Sequence, residues 1–138
     1  MTKFVSILVV FAFISMISAK IYSKCEFAKE LYVQHRLEKD DIGYHMCAAR
    51  SYSGYNTQYN TGHFLSIYRI GAQWWCGENG PGGLCNVKCS NLIDDYLADD
   101  IKCVKEIIRV HGVSTWGLDR NKCDQDFNDM ERCLRNIP

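Results

Sequence analysis

The number and placement of the cysteines constrain this chain more than any other feature. All eight lie between positions 25 and 133 of a 138-residue sequence. An even count in a short exported chain indicates a set of disulfides, each adding about 2–4 kcal/mol of stability. Zinc is the alternative, since Cys85 and Cys89 have a ligand-like gap, but no second such pair or His-x-x-x-His follows. A small disulfide-bonded domain is favoured.

The first nineteen residues are typical of a secretory signal. Lys3 supplies a positive start, Phe4–Ile17 is almost wholly apolar, and Ser18-Ala19 offers small residues for cleavage. The apolar run is shorter than the ~20 residues that span a bilayer. We therefore expect cleavage after Ala19, no membrane anchor, and an extracellular single domain from position 20 to 138.

The charge balance argues against partners that bind by long-range attraction. Sixteen basic and sixteen acidic side chains cancel, and removal of Lys3 with the signal leaves a net charge of −1. Such a protein gains little long-range attraction toward nucleic acid or anionic bacterial surfaces. We expect a monomer with no nucleic-acid partner.

Local patterns predict helices at both ends of the domain. Ser23 and Glu26 fit a capping box that starts a first helix. Apolar spacing predicts three more helices, at residues 42–52, 99–110 and 124–134. Gly54 and Gly112 would end two of them.

The middle of the chain has a different pattern. Tyr55–Tyr59, the turn Asn60–Gly62 and Phe64–Tyr68 predict strand, turn and strand. Helices around a small β insert indicate an α+β domain.

Several segments, taken together, resemble the c-type lysozyme and α-lactalbumin family. They occur in the family's order across the whole mature chain, and all eight cysteines sit at family-like positions. The segments are Lys20–Glu26, Cys47–Arg50, Trp74–Cys76, Leu84–Ser90, Asp100–Cys103, and Trp116 ahead of Asn121-Lys122-Cys123.

The resemblance implies the lysozyme fold, with a helical lobe and a small β lobe beside a saccharide cleft. Spacing alone leaves 105 cysteine pairings open. The resemblance selects four disulfides among them: Cys25–Cys133, Cys47–Cys123, Cys76–Cys89 and Cys85–Cys103.

The two carboxylates that lysozyme chemistry needs are missing. Such a glycosidase uses one protonated acid and one ionised carboxylate on opposite sides of the scissile bond. The resemblance places them at Tyr52 and Phe64, and no Asp or Glu stands between Asp41 and Glu78. A shift of register therefore restores neither, and we assign no catalytic residue. A pairing of Tyr52 with His63 is the one substitute we consider.

The cleft tryptophans of the family are retained. Trp74, Trp75 and Trp116 match them, and indole faces pack well on the C–H surfaces of sugars. A core position is the alternative for Trp75 and Trp116. We predict a substrate-binding role for all three, with Trp74 as the exposed platform.

An acidic loop resembles the calcium site of α-lactalbumins and calcium-binding lysozymes. The resemblance assigns side-chain oxygens to Asp94, Asp99 and Asp100, and backbone oxygens to Asn91 and Tyr96. Calcium prefers six to eight hard oxygen ligands. A solvated acidic start of the third predicted helix would explain Asp99 and Asp100 but not Asp94. We therefore predict a structural calcium ion.

Three functions fit these features. The first is a secreted, non-hydrolytic lysozyme-like protein that binds a peptidoglycan- or chitin-type glycan, or a protein partner, in its cleft. The second is a weak muramidase that uses unusual groups. The third is a modifier of a partner enzyme, as α-lactalbumin is.

Overall fold

A computed structural model describes residues 20–138. The secretory signal predicted at residues 1–19 lies outside this range. Within it, no helix is both long and apolar enough to cross a bilayer.

Three helices form the helical lobe. They are α1 (Lys24–Val33), α2 (Lys39–Ser53) and α5 (Asp124–Leu134), and they pack against one another. Ser23 caps α1 by accepting a 3.2 Å hydrogen bond from the backbone N–H of Glu26, as the capping box predicts. Helix α2 begins three residues before its predicted start and ends at Gly54, which adopts a left-handed φ of 61°.

Helix α4 borders the acidic loop. It spans Leu97–His111, so it begins two residues before its predicted start, and it ends at Gly112. Its buried face includes Leu97, Ile101 and Val104. A short helix α3 (Ala72–Trp75) precedes it, and 3₁₀ turns cover Cys89–Leu92 and Ser114–Trp116.

The predicted β hairpin is wrong in its pairing. Strand β1 is Phe64–Leu65, and it pairs antiparallel with β2 (Ile70–Gly71), so residues 66–69 form the turn. The earlier segment 55–59 forms turns and isolated bridges, with Asn60 bridged to Leu65. Positive φ angles at Ser66 and Arg69 make this tight turn possible. The alternating pattern identified one strand but not its partner.

Four disulfides join these elements in the pairing that the family resemblance implies. Cys25–Cys133 links α1 to α5, and Cys47–Cys123 links α2 to the start of α5. Cys76–Cys89 and Cys85–Cys103 fasten the loop after α3, the second of them to α4. No cysteine in the described residues is free. The α+β fold class and the four disulfides are thus confirmed.

Candidate functional site

A groove with two pockets lies between the β hairpin and the helices. The first, which we call the aromatic pocket, has a volume of about 260 Å³. Its lining consists of Phe64, Arg69, Ile70, Gly71, Trp74, Trp75, Ile107, His111 and Trp116. The second, which we call the polar pocket, has a volume of about 670 Å³ and shares Phe64 and Trp74 with the first. Its other lining residues are Gly62, His63, Ala72, Gln73, Cys76 and Glu78.

Gly71 brings the two shared rings together. It pairs with Phe64 across the hairpin and comes directly before α3, which carries Trp74. A Cβ atom at Gly71 would lie 3.5 Å from the Trp74 ring and 3.8 Å from the Phe64 ring. Both rings therefore stand over the Gly71 backbone and divide the groove into its two pockets.

The three predicted cleft tryptophans meet in the aromatic pocket. Trp74 is 61% exposed, as an open platform requires, and Trp75 is only 8% exposed. Trp75 packs edge-on against His111, with ring centroids 5.5 Å apart. Trp116 is half-buried and lies beside the buried ring of Tyr68. The structure places these residues together, while their contact with a sugar remains a prediction.

Tyr52, at the position that the family resemblance assigns to the acid, is bonded to the backbone of Trp116. It lies near the end of α2, and its hydroxyl donates a hydrogen bond to the backbone carbonyl of Trp116. The two rings are 5.8 Å apart, and a Cβ at Gly117 would come within 3.2 Å of the Tyr52 hydroxyl. Burial raises the pKa of this phenol above its ordinary value of about 10, and the charge of Arg69 opposes that rise. Tyr52 therefore holds its proton more firmly than a free tyrosine does.

Phe64 stands where the family resemblance expects the second carboxylate. It is 38% exposed, and the Arg69 guanidinium lies 4.9 Å from its ring centroid. Among the described lining residues of the aromatic pocket there is no Asp or Glu, and Glu78 lines only the polar pocket. The pocket thus presents an apolar ring and a cation where the family's chemistry needs a negative charge.

Neither His63 nor His45 supplies the missing acid. His63 lines the polar pocket, whereas Tyr52 lines neither pocket, so the structure does not bring this pair together in one cavity. His45 is buried, and its Nδ1 lies 2.8 Å from the Tyr68 hydroxyl. Burial lowers the pKa of His45 to about 3, so it stays neutral.

Sequence reasoning did not assign the two titratable residues of the aromatic pocket, Arg69 and His111. Arg69 gave no signal in the sequence beyond its place within the acid-free window. His111 gave no signal beyond its place at the end of α4, where the helix dipole favours basic side chains. Its position in the pocket depends on how α4 packs beside Trp75.

The acidic loop has one feature that suits a cation. Asp100 is buried, and its Oδ2 accepts a 2.5 Å hydrogen bond from Ser66, while its Oδ1 has no partner. Burial raises the pKa of Asp100 well above its usual range; the Ser66 bond opposes this, and the charges of Asp94 and Asp99 add to it. An unpartnered buried oxygen beside two further acids suits a hard cation.

The other acids of this loop are not arranged as a closed set of ligands. Asp94 accepts a 2.9 Å hydrogen bond from the backbone N–H of Tyr96, and Asp95 accepts a 2.7 Å bond from Thr57. In the part of the chain that the structure describes, no three acids of the loop place oxygens within 4.8 Å of one another. The donor chemistry fits calcium, and Asp100 is the only member of the predicted set that is buried and unpartnered.

A second cluster of potential metal ligands is excluded because its members already form a disulfide and hydrogen bonds. Cys47, Cys123 and Asp126 lie close together, but the two cysteines form a disulfide. Arg50 binds Asp126 through two hydrogen bonds of 2.8 and 2.9 Å. This cluster joins α2 to α5 and offers no vacant ligand.

Comparisons with known proteins agree with this architecture. A family profile described as the C-type lysozyme/alpha-lactalbumin family matches residues 20–133. Lysozyme C of Equus asinus is 32% identical over 125 residues, covering 80% of this chain and 95% of that protein. The lysozyme of Bombyx mori is 29% identical over 135 residues, covering 91% and 98%.

A solved structure extends the similarity to three dimensions. The crystal structure of a lysozyme from Litopenaeus vannamei superposes with a TM-score of 0.68 at 28% identity. The match covers 85% of this chain and 96% of that one. Profile, relatives and fold agree, and the chain is a member of the C-type lysozyme/α-lactalbumin family.

Proposed function

We propose that this protein is exported and binds an N-acetylhexosamine glycan, of the peptidoglycan or chitin type, in its groove without hydrolysing it. One observation carries the proposal. The aromatic groove is retained, while Tyr52 and Phe64 stand at both carboxylate positions and the Tyr52 proton is bonded to the Trp116 carbonyl.

The loss of hydrolysis follows from the charges that the reaction needs. A general acid must give its proton to the leaving oxygen, and one such group is typically worth about 10²–10⁴-fold in rate. Tyr52 is a weaker acid than a free phenol because it is partly buried. Phe64 has no charge to stabilise the developing cation, and nearby Arg69 would repel it. Both halves of the two-carboxylate mechanism are therefore absent.

Sugar binding does not depend on those carboxylates. An exposed indole can stack on the apolar face of a sugar ring, and its N–H can donate to a hydroxyl. Trp74 presents such a face to both pockets, and Gln73 beside it adds an amide to the polar one. The groove therefore offers an aromatic platform with a polar rim, which is typical of small-ligand sites.

Substituting Trp74 tests this surface. Trp74→Ala is expected to weaken binding of the chitin tetrasaccharide by about fivefold or more, because a central aromatic anchor contributes more than about 1 kcal/mol. Isothermal titration measures the affinity, and sedimentation with insoluble chitin or peptidoglycan checks it.

Leu84→Ala is the matched control for Trp74. Leu84 is 62% exposed and apolar, its N–H bonds the Trp74 carbonyl, and it lines neither pocket. Its loss should leave the affinity unchanged. Equal affinity of Trp74→Ala and the unaltered protein would refute the role of Trp74 as a sugar-binding platform. Saturable binding of a purified partner enzyme, with no binding of any glycan, would instead favour the modifier function.

We also propose that the acidic loop holds a structural calcium ion. Asp94, Asp99 and Asp100 would supply side-chain oxygens, and Asn91 and Tyr96 would supply carbonyls. The buried, unpartnered Oδ1 of Asp100 supports this assignment. A cation there would offset the mutual repulsion of the three acids and join the loop to the start of α4.

Calcium is therefore expected to raise the melting temperature. At about 100 times its dissociation constant, a ligand stabilises the folded state by about 2.7 kcal/mol, or roughly 10 °C for a domain of this size. Scanning calorimetry with calcium or with chelator measures the shift. Asp100→Asn should abolish the shift, whereas Asp40→Asn on α2 should retain it. An identical midpoint with calcium and with chelator removes the metal site.

A further inference from the structure

Arg69 occupies an unfavourable backbone conformation at the edge of the aromatic pocket. Its φ is 54°, in the left-handed region, and its N–H donates a 2.9 Å hydrogen bond to the Ser66 carbonyl. A side chain in this region costs roughly 1–2 kcal/mol, and Gly or Asn is the usual choice. A strained residue beside a site is a reason to look for a function of its side chain.

The Arg69 side chain is held over the groove by Phe64. The guanidinium lies 4.9 Å from the Phe64 ring centroid, which is within cation–π range. Within residues 20–138, Arg69 forms no ion pair shorter than 4.0 Å, unlike Arg50, Arg109 and Arg120. Its charge is therefore positioned by stacking but not neutralised by a carboxylate of the protein.

The surroundings of Arg69 strengthen its attraction for an anion. The described lining of the aromatic pocket combines apolar rings and aliphatic chains with one other titratable side chain, His111. Tyr52 lies close enough for its phenol to respond to the Arg69 charge. Apolar walls screen a charge less than water does, so an anion in this pocket is bound more strongly than on open surface. Glu78 lies in the other pocket and disfavours an anion there.

We infer that the aromatic pocket selects a sugar that bears a carboxylate, with Arg69 binding the carboxylate while Trp74 contacts the ring. The planar guanidinium matches a carboxylate through two parallel hydrogen bonds, which a hydroxyl or an amide cannot reproduce. The two pockets carry opposite charges, from Arg69 and Glu78, and this difference also orients the glycan. An acidic sugar would lie beside Arg69, and neutral sugars would lie toward Glu78. This inference rests on the proposed glycan binding.

A matched set of tetrasaccharides tests the carboxylate. The first alternates N-acetylglucosamine with N-acetylmuramic acid and has free lactyl carboxylates. The second is the same molecule with those carboxylates converted to methylamides, and the third is the neutral chitin tetrasaccharide. We expect the free acid to bind about tenfold more tightly than its amide, a difference of 1.4 kcal/mol. The preference should shrink as ionic strength rises.

Two variants assign the preference to Arg69. Arg69→Gln keeps a long polar side chain at the same backbone position and should make the acid and the amide bind equally. Arg135→Gln removes an identical charge from an exposed residue that lines neither pocket, and it should keep the tenfold preference. Melting temperatures confirm that both variants fold.

The outcomes separate this inference from the function beneath it. Equal binding of acid and amide by the unaltered protein, or a preference that survives in Arg69→Gln, overturns the carboxylate site while binding of the chitin tetrasaccharide upholds the glycan groove. Failure of all three saccharides to bind overturns both. Once the acid is found to bind more tightly than its amide, an N-acetylglucosamine–glucuronate tetrasaccharide in the same titration shows which carboxylate sugar fits better.

Discussion

Gly83→Ala is expected to destabilise the fold by about 3 kcal/mol or more, through overpacking against backbone and a disfavoured φ. Gly83 has a φ of 66°, and a Cβ there would lie 2.3 Å from the Trp75 carbonyl carbon and 2.4 Å from the Cys76 nitrogen. Both are backbone atoms in a segment held by the Cys76–Cys89 disulfide, so neither moves freely. Chemical denaturation measures the loss.

Two other glycines separate the causes of the Gly83 effect. Gly62 has a φ of 89° but open space around its Cβ position, so Gly62→Ala reports conformational strain alone, about 1–2 kcal/mol. Gly80 has open space and no positive φ, so Gly80→Ala should change stability by about 0.5 kcal/mol or less. A cost at Gly83 no greater than that at Gly62 would contradict the close packing of this loop behind Trp75.

Removing the Cys25–Cys133 disulfide is expected to have a still larger effect. The bridge spans 108 residues, and the chain-entropy account gives about 4.7 kcal/mol for closing a loop of that length. Small domains are stable by only about 5–15 kcal/mol in total. Replacing both cysteines with alanine should therefore leave the domain marginal, as measured by its urea unfolding midpoint.

The Cys76–Cys89 pair provides the comparison. It spans 13 residues, so its removal should cost about 3 kcal/mol by the same account. It should also loosen the segment behind Trp75 and weaken glycan binding, whereas the Cys25–Cys133 change lies at the opposite, helical side. A smaller loss for the long loop than for the short one would contradict the entropic explanation.

The helices could be predicted because their signals are local. Ser23 with Glu26 starts α1, Gly54 ends α2, and the apolar spacing of α4 matches its buried face. The disulfides could not be paired from spacing alone, and the family resemblance supplied their pattern. The hairpin failed because pairing between strands of two residues depends on the turn at 66–69, where Ser66 and Arg69 adopt conformations that their residue types do not announce.

The candidate site likewise has features that the sequence could predict and features that depend on the fold. The acid-free window and the three tryptophans were visible in the sequence, since they depend only on which residues are present. The bond from Tyr52 to the Trp116 carbonyl joins residues 64 positions apart, and no local pattern reports it. Arg69 and His111 enter the aromatic pocket only through the packing of the hairpin and α4 around Trp75.

The proposal of binding without cleavage is tested most directly by following one oligosaccharide through binding and recovery. Chitin tetrasaccharide is titrated onto the purified mature protein, held with it for a day, and analysed by mass spectrometry beside an active lysozyme. We predict saturable binding and recovery of the tetrasaccharide intact. Shorter fragments at a rate approaching that of the active enzyme, and absent from a heat-denatured sample, would contradict the proposal.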